Sequence, residues 1–176
     1  MTDVQMAGFG LLLLRVVLGL ILIGHGAQKL FGWFGGHGLA ATTQWIESMG
    51  MQPAGFWAFM AGLGEFGGGL LLALGLLNPL GPLGLIATML MAIVAVHWPK
   101  GLWATKGGGE LPLTNLVAAL ALALTGPGIY SLDYLLDIEL PMPLTLFVGL
   151  ILVLLGVGAA LLTRRQPAPH PASPAR

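Results

Sequence analysis

Two charged residues stand inside long hydrophobic runs, Arg15 in the first and Glu65 in the second. An isolated charge at the centre of a bilayer costs at least about 2.5 to 3.5 kcal/mol even on insertion scales, so neither is expected to face lipid. Counting about 1.5 Å per residue along antiparallel helices through a core about 30 Å thick puts Arg15 about 12 Å from the outer face and Glu65 about 15 Å from the inner one. At those depths the two are expected to pair. Such a pair can simply lock two helices together, or it can be the centre of a functional site, and spacing alone leaves both readings open. Gly62, Gly64, Gly67, Gly68 and Gly69 surround Glu65, with Gly64 and Gly68 at the small-xxx-small spacing that permits close helix approach. By the same depth count His25 and His97 reach the inner edge, near Lys29, Lys100 and Glu110, and form a polar cluster there. Two histidines on separate helices can ligate a haem, but nothing in this spacing requires it, and no metal site is expected.

The elements that must hold these residues are transmembrane helices. The chain has 176 residues, 56% of them hydrophobic and only 8% charged, against about 25% charged in an average soluble domain. Its apolar residues fall in runs near the length of a bilayer span: Ala7 to Gly24, Phe56 to Leu77, Leu80 to Trp98, a shorter Leu111 to Thr125, and Leu144 to Thr163. Between the first two, Leu39 to Pro53 suits an amphipathic helix at the headgroups. The N-terminal run reads as a retained helix, since Asp3 and no basic residue precedes it and Arg15 interrupts it. Met89 and Met91 read as core or lipid-facing filler. His37 and His170 receive no role. Seven basic residues balance seven acidic ones, and no phosphate loop, metalloprotease helix, nucleophile elbow or basic-aromatic stripe occurs, so nucleic acid is not an expected partner. The absence of cysteine excludes disulfides, a thiolate nucleophile and cysteine-held clusters, and a redox role would need a bound cofactor or a partner subunit.

Five spans put Lys29, Lys100, Lys106, Arg164, Arg165 and Arg176 on one side, which the positive-inside bias makes cytoplasmic. The N-terminus and the loop carrying Asp133, Asp137 and Glu139 then lie outside. The five tryptophans, Trp33, Trp45, Trp57, Trp98 and Trp103, fall near the cytoplasmic boundary as an aromatic belt. Four spans, with one run lying flat on the membrane, is the alternative.

An ordered set of short motifs adds to this. Leu13-Leu14-Arg15, His25-Gly26-Ala27-Gln28-Lys29-Leu30, Gly62-Leu63-Gly64-Glu65-Phe66-Gly67-Gly68-Gly69-Leu70, His97, Leu124-Thr125-Gly126-Pro127-Gly128 and Ser131-Leu132-Asp133 together resemble the DoxX family of bacterial membrane proteins, over about Leu12 to Asp133. The resemblance implies a four-helix transmembrane bundle at 1–134. The acidic loop with a fifth helix at 135–163 and the proline-rich tail at 164–176, expected to be disordered, depart from the family pattern. The expected fold is thus an all-α integral membrane protein, a four-helix bundle with a fifth C-terminal helix packed outside.

The family takes its name from a subunit of a thiosulfate:quinone oxidoreductase, and other members are associated with thiol and oxidative-stress systems. What carries over by position is Arg15, Lys29, Glu65 and His97. The resemblance therefore implies a membrane subunit that binds quinone between helices, in a pocket of His25, Lys29, Glu65 and His97. Glu65 and His97 would exchange protons while Arg15 holds Glu65 ionised or polarises a quinone carbonyl. Its partners would be membrane lipids and an oxidoreductase subunit or further copies of itself, in the bacterial inner membrane. Two alternatives remain: a non-catalytic anchor or assembly protein, and a small-solute or proton pathway, although the paired broken helices of known transporter folds are absent.

Overall fold

The structure, a computed structural model, describes residues 2–165, so the tail from residue 166, with His170 and Arg176, lies outside the described residues. Among those residues every regular element is helical. Helix α1 (Asp3–Leu30) begins at a capping box in which the Thr2 and Gln5 side chains each take the other's backbone N–H. α2 (Gly38–Ser48) is the short amphipathic helix, and α3 (Ala54–Leu74) ends at Gly75, whose φ of 62° is the left-handed conformation a helix stop favours. α4 (Leu80–Ala92) runs on through a π-helical turn, Ile93–His97, and a 3-10 turn, Trp98–Lys100. α5 (Glu110–Thr125), the short α6 (Leu132–Leu136) and α7 (Leu144–Leu162) complete the chain.

Four helical stretches, α1, α3, Leu80–Lys100 and α7, are long and apolar enough to cross a bilayer, and α5 is a shorter apolar helix. The chain is an all-α membrane protein. α1 packs on α3, α3 on α4 and α4 on α5, and α5 touches α1 to close the ring. Leu18, Leu22, Leu72, Leu85, Ile86 and Leu122 fill its centre. Lipid supplies no hydrophobic force between helices, so close backbone approach has to hold them. Gly64 and Gly68 do this on one side of α3, against Gly84 and Gly81 of α4. On the other side Gly19 of α1 lies on Gly69 and Ala73, and Gly26 lies on the backbone of Phe66. α7 packs outside the ring against α4, with Leu146 buried beside Leu83 and Ala123. Its C-terminal end is tied to the α2–α3 connection: Arg164 Nε donates to Met49 O at 2.9 Å and the Arg165 N–H to Gly50 O at 2.8 Å. The C-terminal ends of α1 and α7 therefore lie at the same end of the bundle as α2.

Candidate functional site

The expected pairing of Arg15 with Glu65 is not what the fold makes. The glycine contacts place Gly26 opposite Phe66 and Gly19 opposite Ala73. In that register Arg15 arrives at the C-terminal end of α3, and Glu65 arrives near the last turn of α1. Each charge then finds a different partner.

Arg15 is buried and donates from Nη1 to Ala73 O at 2.9 Å and from Nη2 to Tyr130 O. Ala73 belongs to the last turn of α3, where carbonyls lack helical partners and carry the negative end of the helix dipole, so a guanidinium there satisfies both needs. Gly75 is required beside it, because a Cβ at that position would collide with the guanidinium. Asp133, also buried, supplies a nearby countercharge and binds the Gly75–Asn78 turn. Its carboxylate accepts from the N–H groups of Leu77 at 2.7 Å and Asn78 at 2.8 Å, and its own N–H donates to Gly75 O at 3.0 Å. The void at this end is about 10 Å³, about one water probe. Arg15 Nε is buried there without a partner. This is a knot tying α1, α3 and the α5–α6 loop.

At the other end Lys29 Nζ forms an ion pair with Glu65 Oε1. The lysine stem reaches back toward the α1 N-terminus, as helical side chains do, and so brings an ammonium from the bundle edge to a buried carboxylate. Glu65 is 5% exposed, and its second oxygen, Oε2, is buried with no hydrogen-bond partner. Both residues line a cavity of about 730 Å³, within the range of small-molecule sites. His25 and His97 line it as well. The sequence-predicted pocket of His25, Lys29, Glu65 and His97 is thus brought together around one space, and Arg15 is not part of it.

His97 sits in the π-helical turn that ends the third span, an irregularity common at functional positions. Its Nδ1 is 2.7 Å from Gly107 O. A carbonyl only accepts, so Nδ1 carries the hydrogen and a neutral ring keeps Nε2 as an acceptor. Glu110 is occupied elsewhere, accepting from the Ala104 N–H at 2.9 Å.

Three contributors to the cavity were not foreseen in the sequence. Asn115 of α5 is a polar lining residue, and its place among apolar neighbours was the available signal. Met49, Met51, Met60, Met89 and Met91 all reach the same cavity, although their positions follow no single helical period. The fifth helix, expected only outside the bundle, contributes Leu152, Val153, Gly156 and Val157 to the wall.

Two comparisons with known proteins place the sequence among relatives. A model of the DoxX family matches residues 10–98, a stretch that holds Arg15, Lys29, Glu65 and His97. The inner membrane protein YqjF of Escherichia coli (strain K12) is 32% identical over 131 residues, covering 73% of this chain and 92% of the relative. No solved structure matches the chain at a significant level.

Proposed function

Because the chain belongs to the DoxX family and is a multi-pass inner-membrane protein, we propose that its cavity is the quinone-binding site of a membrane oxidoreductase subunit. The observation that carries the reading is Glu65, a carboxylate residue that lines a cavity of about 730 Å³ and whose second oxygen, Oε2, is buried without a partner. Apolar walls suit a lipid-soluble ring and tail, and a few converging polar groups suit its head.

A bound quinone supplies a carrier for two electrons and two protons. The protein's own share is positioning and proton handling. Lys29 fixes the Glu65 carboxylate by its Oε1, which leaves Oε2 to meet the head group. His97, its ring oriented by the Gly107 carbonyl, stands at the helix end and relays protons between Glu65 and the aqueous edge. Two electrons per quinone come from a partner oxidoreductase subunit. The basic end of the bundle, with Lys29, Lys100, Lys106, Arg164 and Arg165, faces the cytoplasm, and the N-terminus lies outside. A reporter fused at Arg176 should therefore read cytoplasmic, and one in the Asp133 to Glu139 loop external.

Mass spectrometry of an organic extract tests the binding reading. Protein purified in mild detergent should carry a quinone, and Gly156→Trp should lose it. Gly156 lines the cavity and a Cβ there meets nothing within 4 Å, so a large side chain can be added at this wall without striking backbone. Extracts holding only phospholipid, equal in the two proteins, would favour the non-catalytic anchor instead.

A further inference from the structure

We infer that the cavity discriminates between the two redox forms of its ligand, binding a hydroxyl-bearing aromatic head more tightly than its carbonyl counterpart. The inference rests on the quinone-site reading and deepens it.

A carboxylate paired with an ammonium is a hydrogen-bond acceptor only, so Glu65 Oε2 needs a donor. Three of the donors that line the cavity are already engaged, and Asn115, His25 and Trp45, which also line it, stand on other helices than Glu65. Thr88 Oγ1 donates to Leu85 O at 3.0 Å, Trp57 Nε1 to Gln52 O at 3.2 Å, and His97 Nδ1 to Gly107 O at 2.7 Å. A quinone carbonyl is another acceptor, and against Oε2 it brings two lone pairs together and leaves the buried charge unmet. The O–H of a quinol donates to it directly, in a charge-assisted bond stronger than one between neutral groups. Shape gives little help in telling the forms apart. Five of the chain's eight methionines line this cavity, and their flexible, polarisable thioethers adapt to either ring. The selectivity therefore lies in Glu65, because a site built to receive a hydroxyl proton penalises the analogue that lacks it.

Anaerobic calorimetric titration of the detergent-solubilised full chain with decylubiquinol and decylubiquinone tests this. The quinol should bind at least about ten-fold more tightly, the scale of one hydrogen bond to a charged group. In Glu65→Gln, Lys29 keeps the amide oxygen and the NH2 group turns to the cavity as a donor, so the preference should vanish or invert. Equal affinities, or a tighter quinone, would overturn the inference while leaving the cavity as a quinone site. Binding of neither would overturn the site reading and the inference with it. A folded Glu65→Gln with the preference intact would remove Glu65 from the role assigned to it.

Discussion

Arg15 and Glu65 are both buried charges in the membrane-spanning part of one small bundle, and the fold treats them in opposite ways. Arg15 is held by two backbone carbonyls on two different segments, with Asp133 close by and a void of about 10 Å³ beside it. Glu65 has a single partner, on a flexible lysine stem, and faces about 730 Å³. Each leaves one polar atom unpartnered, Arg15 Nε and Glu65 Oε2, but only the second belongs to a residue that lines a space larger than a water. The two centres lie about 21 Å apart along α1, from Arg15 to Lys29. A buried charge in a membrane protein is thus not in itself a functional signal. Backbone partners and a closed surround hold Arg15, whereas a single side-chain partner beside open space is the arrangement the proposed site calls for.

The contrast makes graded predictions. Arg15→Leu should have the largest effect on stability, about 3 to 5 kcal/mol, because it unties two buried carbonyls and leaves Asp133 without its countercharge. Thermal unfolding in detergent measures it, and a wild-type melting temperature would erase the distinction between the two ends. Lys29→Met should cost less, about 1 to 3 kcal/mol, since water can reach the stranded carboxylate through the cavity. Adding Glu65→Leu to Lys29→Met should recover part of that loss, and recovery is the sign that the two residues are coupled. Arg15→Leu with Glu65→Leu should by contrast be additive to within about 0.5 kcal/mol, because the two share no partner. Strong coupling there would restore the pairing expected from depth alone. Gly156→Trp, at a position on the cavity wall where a Cβ meets nothing, should change stability least, within about 0.5 kcal/mol, which separates ligand occupancy from folding.

Much of the architecture was legible in the sequence because apolar run length and glycine spacing are local properties. The spans, the amphipathic α2 and the Gly64/Gly68 contact all follow from them. The partner of Glu65 was not legible, for a physical reason. Depth counted from the membrane faces assumes that each helix starts at the boundary, but α1 starts at Asp3 and runs for 28 residues, about 42 Å, well beyond a bilayer core. Register is set instead by Gly26 on Phe66 and Gly19 on Ala73, which are contacts between segments far apart in the chain. Lys29 was placed at the edge by its Cα, whereas its long side chain carries the charge inward. Asp133 was visible as an acidic loop residue, but its two backbone donors lie more than fifty residues earlier.

The glycine contacts between α1 and α3 also decide where the bundle is held most closely. At Gly19, Gly26 and Gly69 the two helices meet backbone to backbone, leaving no side chain that could rotate to let them part. That seam is the rigid frame on which Lys29 and Glu65 are mounted. Farther from that seam, the cavity walls supplied by α2 and α7 are joined at one end, where Arg164 and Arg165 bind Met49 and Gly50. Fastened in this way, the fifth helix is held to the bundle at two heights, by its side chains along α4 and by its end at the connection that follows α2.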